Sequence, residues 1–184
     1  MKKFILTLIF CTVLSTLAQA RNEVYFTPSD KCENKLVDLI DNTQSSIDAA
    51  VYAITNTQIT EALKRAQTRG VKIRILTDRL QASNRYSKVM EIHNFGIDIK
   101  INSKHKIEHN KFAVFDGKVI STGSYNWTEA ASNKNSENCL FLTEEPEITT
   151  EYTQAFNRLW ILNKPEKSTR WFALRKKNYK LSAL

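Results

Sequence analysis

The sequence predicts an α/β layer fold, and two observations carry that prediction. From Glu23 to Ile101, strand-like and helix-like segments alternate, the order that stacks helices on a sheet. Within that alternation, Val71–Thr77 and Ile97–Ile101 set Val71, Ile73, Ile75 and then Ile97, Ile99, Ile101 on one face at period two, as strands with one buried side do. Composition agrees. A chain of 184 residues, 42% hydrophobic and 25% charged, with four Gly and three Pro, is long enough for one domain with a proper core and is neither collagen-like nor disordered.

Taken in order, Met1–Ala20 reads as a secretory signal peptide: Lys2 and Lys3, an apolar run over Phe4–Leu17, then Ala18-Gln19-Ala20 as a cleavage site. The expectation is an exported protein, periplasmic or secreted; an uncleaved membrane anchor is the alternative that the cleavage site disfavours. Glu23–Phe26 is a short strand, and Cys32–Thr43 a helix with Leu36, Leu39 and Ile40 at helical spacing. Ser46–Ile54 reads as a strand. Thr57 or Thr60 caps a helix that Gly70 stops. Leu80–Tyr86 reads as a loop and Ser87–Asn94 as a short helix. His109–Phe115 is a strand that sets His109 and Lys111 side by side on one face. Asp116-Gly117 is a hairpin signal, and Lys118–Thr122 the returning strand. Asn126–Ser132 is a helical turn, Glu137–Leu142 a strand, and Pro146–Leu162 an amphipathic helix with Ile148, Tyr152, Phe156, Leu159 and Trp160 as its core stripe.

Charge is unevenly spread. The formal net is +8; the leader contributes two, and residues 163–184 contribute six through Lys164, Lys167, Arg170, Arg175, Lys176, Lys177 and Lys180 against Glu166. Residues 21–162 are therefore neutral. A basic tail interleaved with Trp171, Phe172 and Tyr179 suits a polyanion, nucleic acid or an anionic phospholipid surface; a disordered solubilising end is the alternative. Cys32 and Cys139 of the mature chain either pair as a disulfide or stay buried as thiols; the sequence leaves both open.

The chemistry concentrates in Ile107–Cys139. His109-x-Lys111 is followed by Asp116, then Gly123-Ser124-x-Asn126, then Asn135-Ser136-Glu137-Asn138. Phosphodiester cleavage needs a nucleophile, cations and donors for the nonbridging oxygens, and an acid for the leaving oxygen. His109 suits the first role; Lys111, Ser124 and Asn126 suit the second, with the Gly123-Ser124 turn letting backbone approach the phosphate. Glu137 is the candidate carboxylate for orienting His109. Asp116, grouped with the catalytic set by the motif, more naturally braces it through hydrogen bonds. No CxxC or HExxH spacing is present, and His105-x3-His109 would suit zinc only on a helix, so no metal is expected.

This pattern, H-x-K-x4-D-x6-G-S-x-N, resembles the phospholipase D superfamily, and in particular its small, exported, single-motif branch of bacterial endonucleases. The resemblance extends to the leader, Tyr25-Phe26-Thr27-Pro28 and Arg69-Gly70-Val71-Lys72-Ile73. It implies a mixed β-sheet flanked by helices on both faces, with 21–162 as the catalytic domain and 163–184 as a basic tail. It also implies metal-independent phosphoryl transfer through a phosphohistidine, without cofactor, completed by the histidine of a second motif. One motif per chain then implies a homodimer; the alternative is a monomer using His105 or His93 as acid. The readings in order are an exported non-specific endonuclease on DNA or RNA, a phospholipase D acting on lipid headgroups, and a non-catalytic nucleic-acid-binding protein.

Overall fold

The computed structural model describes residues 22–181, so the leader expected over 1–20 lies outside the described residues. Seven strands form one mixed sheet: β1 (Glu23–Phe26), β2 (Ser46–Val51), β3 (Lys72–Thr77), β4 (Asp98–Ile101), β5 (Lys111–Phe115), β6 (Val119–Gly123) and β7 (Asn138–Thr143). Their order is β1-β7-β6-β5-β2-β3-β4. β2, β3 and β4 run parallel, and every other neighbouring pair is antiparallel. The helices are α1 (Lys31–Asn42), α2 (Thr57–Thr68), α3 (Arg79–Ala82), α4 (Val89–Asn94), α5 (Glu129–Asn133), α6 (Pro146–Leu162) and α7 (Pro165–Leu181).

Period two decides which side chains enter which layer. Ile47, Ala49 and Val51 of β2, with Ile73 and Ile75 of β3, face a core shared with Leu36 and Ile40 of α1, Ile59 and Leu63 of α2, and Ile92 of α4. Ala50, Leu76, Phe112 and Val114 point the other way, onto Phe156 of α6. Helices therefore cover both faces, as the family resemblance implied. On the α6 face, Arg74 is held by Asp48 through two 2.7 Å bonds and by Asn157, and lies over Phe156 and Trp160. Phe156 is fully buried, but Ile148 is 41% exposed and Thr149 takes the inward position.

Several expectations shift. Asn56, not Thr57 or Thr60, caps α2, its side chain accepting from the Ile59 N–H. The expected loop after β3 opens with α3, which Asp78 caps through the N–H groups of Leu80 and Gln81. Cys32 and Cys139 form a disulfide between α1 and β7, settling the pairing that the sequence left open.

The largest correction is the basic end. Residues 165–181 are helical rather than loose, and the helix packs on β4, the edge strand of the sheet. Phe172, 5% exposed, stacks on His93 with ring centroids 3.6 Å apart. The buried Ser168 hydroxyl accepts from the Ile101 N–H, closing off an exposed β-edge. Trp171 and Phe172 are thus packing residues. Among the described residues, no helix is long and apolar enough to cross a membrane.

Candidate active site

Strand direction brings the site together. The carboxyl ends of β2, β3, β4 and β6 and the amino ends of β5 and β7 lie at one end of the sheet, because Val51 pairs with Lys111 and Thr77, Thr77 with Ile101, and Gly123 with Cys139. His109–Lys111, Ser124–Asn126 and Glu137 therefore converge there from separate parts of the chain. Asp116 does not. It sits in the β5–β6 turn, at the opposite end of β5.

β5 begins at Lys111 rather than His109, although the pairing continues past it through the Tyr52 N–H to the Asn110 carbonyl, 2.9 Å. The approach segment is fixed by buried acids. Glu108, 1% exposed, accepts from Asn110 Nδ2 at 2.7 Å, and its own N–H donates to Asp78 at 3.2 Å. His109 stays exposed, its ring edge-on to Tyr52 at 4.6 Å. Lys111 Nζ lies 4.9 Å from the centre of the same Tyr52 ring and donates to the His109 carbonyl at 2.5 Å. Burial pushes the Lys111 ammonium below the usual lysine range; the Glu137 and Glu108 carboxylates pull it back only in part.

The second half of the motif is hung on the residues after β2. The Trp127 carbonyl accepts from the N–H groups of Thr55 and Asn56, and the Trp127 ring is buried. The Tyr125 hydroxyl bonds Ser132, which donates to Glu33, and burial pushes its pKa up to about 12. Gly123 acts differently from expectation. Its φ is +140°, and a Cβ there would overlap the Asn138 carbonyl, so glycine lets β6 approach β7 rather than a phosphate.

Two sequence-derived roles also change within one chain. Ser124 already donates its proton to Glu137, at 2.6 Å, and accepts from the Asn138 N–H. Glu137, expected to orient His109, instead accepts from Ser124 and from Asn135 Nδ2 at 2.9 Å. Among the described residues, the His109 imidazole makes no hydrogen bond. Asn126 is held differently: its side-chain oxygen, an acceptor that a phosphate oxygen does not satisfy, is buried without a partner, so any bond to phosphate falls to its amide NH2. Asp116 accepts from the N–H groups of Gln44, Ser45 and Ser46 and from the Ser45 hydroxyl. Burial alone would raise its pKa, but those four bonds together hold it at about 2. It braces the turn and is remote from His109.

Tyr52, Glu108 and Asp78 are the site residues that sequence reasoning missed. Tyr52 follows a strand pattern without any motif of its own, and the two acids look like ordinary loop carboxylates. Among the described residues, no three His, Cys, Asp or Glu side chains are grouped so as to hold a metal ion.

An exposed imidazole thus sits beside a partly buried ammonium at the end of the sheet where Ser124–Asn126 and Glu137 converge. A family model described as the PLD-like domain of cardiolipin synthase matches residues 36–160. A phospholipase D of Rickettsia conorii is 37% identical over 141 residues, 77% of this chain and 70% of that protein. The chain belongs to the phospholipase D superfamily. As a member of that superfamily it is a phosphodiester hydrolase. A mitochondrial cardiolipin hydrolase of Xenopus tropicalis is 32% identical over 132 residues, 72% of this chain and 62% of that protein. Among solved structures, the phospholipase D family member Nuc from Salmonella typhimurium shares 29% identity at a TM-score of 0.75, over 79% of this chain and 97% of that one.

Proposed function

We propose that this superfamily member is an exported nuclease that cleaves DNA or RNA without a metal ion, through a phosphohistidine on His109. The observation that carries the chemistry is the pairing of an exposed, unbonded His109 ring with Lys111 over the Tyr52 face. A neutral imidazole nitrogen attacks phosphorus while Lys111 and Asn126 hold the nonbridging oxygens. The bond to the leaving oxygen breaks, and that oxygen takes a proton from a second histidine. Water, giving a proton to that second histidine, then attacks the phosphohistidine; the P–N bond breaks and the imidazole returns.

The second histidine comes from a second copy of the chain, which makes the working enzyme a homodimer. Within one chain, His93 is stacked under Phe172, and His105 is tied by its backbone to Asn102 at the end of β4. Glu137 is positioned by Ser124 and Asn135 at the same end of the sheet, and in the dimer it would complete the second site. Nucleic acid is the favoured substrate because the surplus positive charge of the mature chain lies in residues 163–184, whose first helical turn sits at that end, with Ser168 bonded to Ile101.

Plasmid nicking in EDTA by the mature protein, lost in His109→Ala, is the expected result; nicking that survives the substitution overturns the mechanism. Light scattering should give twice the mature mass, and fractionation should find the protein outside the cytoplasm. A second reading, lipid headgroup hydrolysis, is favoured by the named activity of the Rickettsia and Xenopus relatives. Release of headgroups from phosphatidylcholine or cardiolipin vesicles, with no nicking, would replace the first reading with the second.

A further inference from the structure

We propose a second phosphate-binding site at the same end of the sheet, distinct from His109 and Lys111, that holds the backbone of the nucleic-acid strand some way along from the bond being cut. It rests on the nuclease reading and deepens it.

A cavity of about 240 Å³ is lined by Arg79, Asn102, Ser103, His105, Lys106 and Lys167. Three separate elements supply the cations: the start of α3, the loop between β4 and β5, and the first turn of α7. All four basic side chains are exposed. Among the described residues, none of them is in an ion pair. Elsewhere on the surface Lys35, Lys64, Arg65, Arg69, Arg74 and Lys88 have carboxylate partners, while scattered cations such as Lys72 and Lys118 have none among the described residues; what sets this cluster apart is that its cations share one concavity. Gathering Arg79, Lys106 and Lys167 around one concavity without a counter-charge is unfavourable, and an anion placed there relieves it.

The concavity is built rather than fortuitous. Asn102, 3% exposed, accepts from the N–H groups of Lys104 and His105 at 3.1 Å each and donates to the His105 carbonyl at 2.8 Å. Asn163, fully buried at the end of α6, accepts from the Ser103 N–H at 2.8 Å. Two buried amides thus fix the loop that presents His105 and Lys106, so little ordering cost remains on binding.

Register gives the distance from the reaction. Lys111, Val51, Thr77 and Ile101 lie in one row across β5, β2, β3 and β4, and three strand spacings amount to roughly 14 Å. A polymer of phosphodiesters reaches both ends of that row. A single lipid headgroup phosphate at His109 does not.

The test compares initial rates of the mature wild type and Arg79→Ala/Lys106→Ala/Lys167→Ala on a single-stranded oligonucleotide and on bis(p-nitrophenyl) phosphate. We expect the oligonucleotide KM to rise roughly tenfold or more, and the salt slope of binding to fall by about 2. The small diester should lose far less. Equal loss on both substrates, or an unchanged oligonucleotide KM, overturns the site while leaving the nuclease reading intact. A wild type that cuts neither the oligonucleotide nor plasmid DNA overturns that reading, and the site with it. Phosphatidylglycerol vesicle binding that collapses while the oligonucleotide KM holds assigns the cluster to lipid and overturns the proposal. Should the triple variant fail to fold by circular dichroism, Lys106→Gln and Lys167→Gln separately carry the same comparison.

Discussion

The two ends of β5 hold residues of one motif in opposite conditions. At the Asp116 end, one carboxylate is saturated by three backbone N–H groups and a hydroxyl, in a turn where Asp116 and Gly117 both have positive φ. At the Lys111 end, an imidazole stands without a hydrogen bond among the described residues, beside an ammonium that burial has made less comfortable as a cation. A satisfied polar group stabilises the fold and has nothing left to offer a substrate. An unsatisfied one costs stability and is available for chemistry. The motif is therefore two devices on one strand, one that braces a turn and one that, on the proposed mechanism, reacts.

The strongest challenge to that division is Lys111→Ala. It should lower kcat/KM on a diester by about 10²–10³-fold while leaving Tm nearly unchanged; a fall in Tm comparable to that of a core variant would show that the reacting end is structural too. Because the Lys111 pKa lies below the usual lysine range, activity should decline on the alkaline side before an ordinary lysine would titrate, as the ammonium loses its proton. Lys111→Arg should shift that limb upward, and a limb that stays in place would assign it to another group.

Next in size is the covalent tie near the reacting end. The Cys32–Cys139 bond closes a sequence separation of 107 residues, so Cys32→Ala/Cys139→Ala should lose about 3–5 kcal/mol, read by urea unfolding. A midpoint equal to wild type would show that packing alone holds α1 against β7.

Asp116→Ala should give the reverse of Lys111→Ala: about 2–3 kcal/mol of stability, or a Tm lower by roughly 5–10 °C, with kcat/KM per folded molecule nearly kept. The pH dependence has a definite sign. The folded pKa of about 2 lies below the ordinary 3.8, so this carboxylate's contribution is complete above pH ~4 and is lost as pH falls toward 2. Acid titration of the variant should lack that component, and identical acid midpoints would remove Asp116 from its bracing role. The smallest effect belongs to Ile148→Ser on the exposed side of α6, expected within about 0.5 kcal/mol; a larger loss would mean that this face is covered in the assembled protein.

Much of this was legible in the sequence, for physical reasons. Period-two and helical apolar spacing wrote down β3, β4, α1 and α6 because side-chain direction follows backbone periodicity. Asp116-Gly117 announced its turn because few residues tolerate positive φ at both positions. Asn56 was missed as a cap because Thr57 and Thr60 offer similar chemistry and only backbone geometry distinguishes them. The basic end misled more deeply. A charge run with scattered aromatics looks like a solvated tail until β4 supplies an edge for Ser168 and His93 a ring for Phe172.

What the sequence determined by itself was the layer class, the hairpin, and the motif that marks the superfamily, since these depend on neighbours a few positions apart. What only the tertiary structure decided was who meets whom: Glu137 with Ser124, Gly123 with the Asn138 backbone, Tyr52 with His109, Lys167 with Arg79 across a cavity. Short polar side chains reach only a few ångströms. Their partners are therefore fixed by which strand ends the sheet brings together, and spacing along the chain does not record that.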